Sequence, residues 1–144
     1  MVSLVGLANA APATLSDIQG HWAQSQIEKW VDNGVVTGYQ DGTFKPDQAV
    51  TRAEFVTLLI KGLGKENPAA EANFTDVKAT DWFYKEVAAA SAANYVSGYG
   101  DGLFAPNDPM TREMVAKLVA NYLQLPEDQT EIAFKDAGTI SPWA

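Results

Sequence analysis

The hydrophobic pattern of the chain runs through one sequence of periods and then runs through it again. An extended opening, Leu15-Ser16-Asp17-Ile18, places apolar residues around an acid. It leads into a stretch where Ala23, Ile27, Trp30 and Val31 recur at i, i+4, i+7 and i+8. That spacing predicts one face of an α-helix. A polar, glycine-rich segment follows, and then Phe55, Leu58, Leu59 and Gly62 mark the predicted buried stripe of a second helix. The second pass opens with Phe74-Thr75-Asp76-Val77. Its first helix carries Trp82, Val87, Ala90 and Ala93, and its second has Val115, Leu118, Val119 and Tyr122 at the same offsets. Gly34 and Asn94 are placed to end the first helices as left-handed residues.

The recurrence is an internal repeat. Residues 35–52 read VVTGYQDGTFKPDQAVTR and residues 95–112 read YVSGYGDGLFAPNDPMTR, a shift of 60 throughout. Trp22 and Trp82 share that shift, whereas the two openings are related by 59. A third copy begins at Phe134-Lys135-Asp136-Ala137 and reaches Trp143. The predicted organisation is therefore one unit over 15–63, a second over 74–125 and the start of a third over 134–144. Polar linkers at 64–68 and 126–129 separate them. Between the helices of each unit lies a Gly-Tyr-x-Asp-Gly-x-Phe-x-Pro loop rich in turn residues. Thr51-Arg52-Ala53-Glu54 is a capping box, in which Thr51 and Glu54 each serve the other's backbone N–H. Unit two keeps Thr111 as a cap but has Met114 in place of the glutamate, so its box is half complete. Glu113 still favours the helix dipole there. The fold class that follows is all-α: tandem helix–loop–helix repeats, two α-hairpins clasping one another.

Composition narrows the chemistry. The chain has 144 residues, 18 acids against 10 bases, a formal charge of -8, one histidine and no cysteine. No cluster of Lys and Arg is available to neutralise phosphates, which argues against nucleic acid. The absence of cysteine excludes disulfides, thiolate zinc sites and a cysteine nucleophile. No stretch approaches the length of a membrane-spanning helix. Residues 1–13, MVSLVGLANAAPA, are small and apolar, and Ala8-Asn9-Ala10 fits a leader-cleavage site, so this segment reads as the tail of a secretory signal.

The loops invite a calcium reading that fails. Setting Gly42 at the sixth position of an EF-hand puts Thr37, Tyr39 and Gln48 at ligand positions, and Gly102 puts Ser97, Tyr99 and Asp108 there. Asp41, Asp47, Asp101 and Asp108 recur with the repeat, which suits Asx-turns better than acid–base catalysis. No nucleophile with an adjacent base and no phosphate loop is present, so neither an enzyme nor a cofactor or metal is expected. Arg52 and Arg112 each open a second helix, where the dipole already attracts anions and a guanidinium fork can hold a carboxylate. The alternative for each is a salt bridge to a neighbouring acid. Trp22, Trp82 and Trp143 begin the first helices and are expected in the core, although an indole face also packs on sugars.

Taken together, the opening motif, the early tryptophan, the loop and the Thr-Arg-Ala-Glu helix start resemble the S-layer homology family over residues 15–144. The resemblance implies a non-catalytic, extracellular anchor to bacterial cell wall or S-layer. Members assemble three units into a pseudo-threefold helical bundle whose inter-unit grooves bind pyruvylated secondary cell-wall polysaccharide. Carried onto this sequence, it assigns polysaccharide contacts to Arg52, Arg112, Trp22 and Trp82, and to the loop residues Asp41, Gly42, Asp101 and Gly102. The partner is then a wall polysaccharide, with other repeats or copies completing the bundle. The alternative is a protein-interaction or self-assembly module of a surface layer. Thr-Arg-Glu-Met in unit two departs from the family pattern.

Overall fold

The computed structural model describes residues 15–126 and 134–144. The candidate leader at 1–13 and most of the second linker lie outside the described residues. Four α-helices carry the fold: α1 (Gln24–Asp32), α2 (Arg52–Leu63), α3 (Tyr84–Ala92) and α4 (Arg112–Leu123). A short 3-10 turn spans Ala137–Thr139. The described residues contain no strand, only isolated bridges between Thr51 and Pro109 and between Gly100 and Leu103. The fold is all-α, as the periodicity predicts.

Local chemistry sets the helix ends. Thr51 Oγ1 accepts from the N–H of Glu54 at 3.3 Å, and Glu54 Oε2 accepts from the N–H of Thr51 at 2.8 Å. In unit two Thr111 Oγ1 accepts from Met114 N–H at 3.3 Å and the return bond is lacking. Gly34 and Asn94 adopt φ of 70° and 58°, the left-handed terminator conformation.

Each opening segment straps its own loop. The Asp17 carboxylate accepts from the N–H groups of Phe44 and Lys45 at 2.8 and 2.7 Å. Asp76 does the same for Phe104 and Ala105 at 2.8 and 2.7 Å. Lys45 and Ala105 have φ of 57° and 55°, a conformation that costs a residue with a Cβ about 1–2 kcal/mol. Charge-assisted hydrogen bonds offset that cost. Burial opposes ionisation of both acids, but the paired N–H groups outweigh it and hold both carboxyls below the ordinary range. Loop closure also requires glycine at two places. A Cβ on Gly38, whose φ is 75°, would sit 2.8 Å from Thr43 O, and one on Gly98 would meet Leu103 O.

Packing departs from two self-contained hairpins. Among the described residues, α2 and α3 are the only helices whose backbones approach closely, so the second helix of unit one packs on the first helix of unit two. The main core joins Ala53, Val56 and Ile60 of α2 to Val87, Ala89 and Ala90 of α3, with Phe104 and Leu118. Leu15, Ile18 and Ile27 form a separate small cluster under Phe44. This geometry also moves the stripe of α2. Its buried residues are Arg52, Ala53, Val56, Thr57 and Ile60, while Phe55 and Leu59 pack at the edge. In α4 only Leu118 is buried, and Val119 is exposed.

Gly38→Ala and Gly98→Ala should each lower the urea midpoint, because no flexible side chain can move aside to relieve a clash with a backbone carbonyl. Gly62→Ala should raise stability by about 0.5–1 kcal/mol, since its site in α2 is helical and open apart from an ordinary contact at 3.7 Å with Val35. The strap acids also set an acid limb. Their contribution is full above about pH 5 and is lost as pH falls below about 4, through the depressed folded pKa values, because the unfolded chain binds more protons there. Urea titrations across pH should show this limb flattened in the Asp17→Asn/Asp76→Asn variant.

Candidate functional site

The capping box turns the first residue of α2 toward unit two, and Arg52 enters that unit. Its side chain is 92% buried, with 8% relative exposure. Nε donates to Phe104 O at 2.9 Å and Nη2 to Ser97 O at 3.1 Å, while Nη1 lies 3.8 Å from Met114 Sδ. The guanidinium carbon lies 4.5 Å from the ring centroid of Tyr99 and 4.7 Å from that of Phe104. No carboxylate of the described residues forms a direct ion pair with it; carbonyl dipoles and π faces hold the cation, and the Asp76 carboxylate attracts it from beyond contact distance. The salt-bridge alternative for Arg52 is not realised.

Beside it runs a groove of about 240 Å³ between α2, the unit-two loop, α4 and the third opening. Arg52, Tyr95, Ser97, Tyr99, Met114, Lys117, Asn121 and Trp143 are among its lining residues, and none of the lining residues is acidic. On a chain of charge -8 the groove is thus a local cationic exception. Lys117 supplies an ammonium, Asn121 Nδ2 donates to Tyr95 O at 3.4 Å, and Tyr99 OH lies 3.6 Å from Met114 Sδ. The volume is a little below the 300–1,000 Å³ or so of pockets for larger organic ligands.

The other residues singled out in the sequence stand elsewhere. Arg112 is exposed at the start of α4 and does not line the groove. Trp22 is 87% exposed and its ring lies 5.4 Å from that of His21, tilted by 38°, and Trp82 is 41% exposed with its ring edge-on to Phe83. The expectation that the early tryptophans fill the core is therefore overturned. The core position beside Trp82 goes to Phe83, which is buried. Of the three indoles, only that of Trp143 lines the groove. Asp41 forms the expected Asx-turn, accepting from the N–H and Oγ1 of Thr43 at 3.1 and 2.6 Å, and these bonds hold its carboxyl low. Gly42 and Gly102 offer their carbonyls to Ser16 and Thr75 of the opening straps. Asp101 sits at φ 50° in its turn. Asp47 departs from an Asx-turn: its Oδ1 lies 3.2 Å from His21 Nε2. These loop positions shape the loop and lie off the groove.

The anion-ready helix start is also modified by the fold. The N–H groups of Arg52 and Ala53 donate to Asp108 O and Pro106 O at 2.9 and 3.0 Å, so unit two already satisfies the start of α2. What remains for a ligand is the groove wall, not the helix terminus.

A profile of the S-layer homology domain matches residues 14–56 and 73–113, more than half the chain and both repeats. The chain belongs to the S-layer homology family. Its relatives include an endoglucanase of Bacillus sp. (strain KSM-635), 38% identical over 95% of this chain but 15% of that protein. The surface-layer 125 kDa protein of Lysinibacillus sphaericus is 32% identical over 99% of this chain and 12% of its own length. A cellulosome-anchoring protein of Acetivibrio thermocellus is 46% identical over 51% of this chain and 17% of its own length. The chain thus spans less than a fifth of each of these relatives.

Membership in the S-layer homology family supports a cell-surface anchoring module. The one enzyme among these named relatives, the endoglucanase, matches over 15% of its length, as expected if the repeats are a module apart from catalysis. No described helix is long and apolar enough to cross a membrane. Sequence periodicity does not single out Lys117, Asn121 or the carbonyl of Ser97. Lys117 carries one weak signal, being a cation on the α4 face at the offset where α2 has Thr57.

The two arginines should separate in stability. Arg52→Ala is expected to cost about 3 kcal/mol, because the buried Phe104 carbonyl and the partly buried Ser97 carbonyl lose a charged donor. Arg112→Ala, at an exposed position, should cost less than about 0.5 kcal/mol. Urea unfolding of both variants in dilute solution checks the contrast.

Proposed function

We propose that the groove between units one and two binds an acidic polysaccharide of the bacterial cell wall and so tethers the protein that carries this module. The reading rests on one observation: a cationic, acid-free groove lined by aromatic residues on an otherwise acidic chain. An anionic substituent such as the carboxylate of a pyruvate ketal would be held by Lys117 and by the donors of Arg52 that the carbonyls leave unused. Tyr99 and Trp143 offer apolar faces to the sugar ring. Family membership and relatives with surface-layer and anchoring names support the same reading. The net charge of -8 discourages indiscriminate adhesion to anionic wall polymers, so recognition falls to this local site. Catalysis is no part of the proposal.

The test is retention on purified wall sacculi, with and without the pyruvylated polymer. Retention should fall when the polymer is removed, and equal retention on both preparations would count against the reading. Lys117→Ala should weaken retention about tenfold or more with an unchanged unfolding midpoint. Arg52→Ala is the poorer probe, because it also loosens the join between the units.

A further inference from the structure

Met114 occupies, one repeat of 60 residues later, the position of Glu54. In unit one that carboxylate is engaged through both oxygens: Oε1 accepts from Tyr39 OH at 2.6 Å and Oε2 from the N–H of Thr51 at 2.8 Å. In unit two the same place holds a thioether, which is a weak acceptor, yet strong donors face it. Tyr99 OH lies 3.6 Å from Sδ, and Arg52 Nη1 lies 3.8 Å from it. Two of the chain's three methionines, Met110 and Met114, line the groove. Met110 also packs against the main core, whereas the sulfur of Met114 meets the two polar donors. Met114 is half-buried, so a small solute that enters the groove meets its side chain.

We propose that Met114 is a peroxide-sensitive modification site whose sulfoxide engages Arg52 and Tyr99 and so withdraws their donors from the groove. The Sδ lone pair attacks one oxygen of hydrogen peroxide and the O–O bond breaks. The departing hydroxide takes the proton of the transferred oxygen and leaves as water. Sulfur loses two electrons and the peroxide gains them; a methionine sulfoxide reductase reverses the change. The product is close in shape to the glutamate of unit one. Its oxygen stands three bonds from Cβ, through Cγ and Sδ, as Oε of Glu54 does through Cγ and Cδ. A sulfoxide in an apolar site disrupts packing, but here a phenol and a guanidinium are in place to donate to it. An anionic ligand then loses the Arg52 donor that the carbonyls leave unused. That last consequence rests on the acidic-polysaccharide reading; the modification and its hydrogen bonds do not.

The folded chain treated with dilute hydrogen peroxide, its peptides followed by mass spectrometry, tests this. Met114 should gain one oxygen at least about threefold faster than Met110. The oxidised chain should keep or raise its urea midpoint, and the NMR signals of the Arg52 guanidinium should shift. Retention on wall sacculi should fall about tenfold after peroxide in the unaltered chain and stay insensitive to peroxide in Met114→Leu. Met114→Gln, whose amide oxygen stands where the sulfoxide oxygen stands, should show the low retention without peroxide. Met114 reacting no faster than Met110, a lowered midpoint or unmoved Arg52 signals would overturn the proposal. So would undiminished retention of the oxidised chain when removal of the polymer releases the untreated one. An untreated chain held equally with and without the polymer defeats the polysaccharide reading instead, and the oxidation rate, the midpoint and the Arg52 signals still decide the modification.

Discussion

The join between the two repeats depends on a guanidinium placed across their boundary. Arg52 belongs to unit one by sequence and to unit two by contact: two carbonyls and two aromatic rings of the second unit enclose it. A buried charge without a direct ion pair is costly unless its hydrogen bonds are made, and here backbone carbonyls accept them. The same contact does three things. It caps the join between helices α2 and α3, fixes the shape of the unit-two loop, and leaves a positive wall facing the groove. A change at Arg52 therefore alters the packing between the units and the groove wall together.

The repeat is a unit of sequence more than a unit of packing. The largest core lies across the boundary between units, with α2 contributing Val56 and Ile60 and α3 contributing Val87 and Ala90. Unit one retains only a small cluster of Leu15, Ile18 and Ile27 beneath its own strap. This is the behaviour of stacked repeats, where one unit cannot bury its apolar face alone and the neighbour completes it. The asymmetry is visible at equivalent positions. Phe104 is fully buried where Phe44 is half-buried, and Arg52 is buried where Arg112 is exposed.

Much of this was legible in the residues. The four helices, the full and half capping boxes, the left-handed terminators and the Asx-turn at Asp41 all follow from short-range chemistry, in which donor and acceptor are a few residues apart. The straps were only half legible. Asp17 and Asp76 recur in the pattern, but their partners lie 27–29 residues on, beyond the reach of local rules. The tryptophans misled for a related reason. Hydrophobicity argues for burial, yet whether Trp22 or its neighbour turns inward depends on how the opening strap meets α1.

Local sequence determined the helices, their caps and the candidates for chemistry, because propensity, capping and turn formation are decided within a few residues. It also placed the chain in its family through a joint motif no single turn would require. Only the tertiary structure decided that Arg52 is enclosed and Arg112 is not, and that Lys117 and Trp143 share a groove while Trp22 faces water. Those outcomes depend on which surface of one unit meets the next. Two copies of nearly the same motif thus acquire different roles, because burial is a property of neighbours and the two copies have different ones.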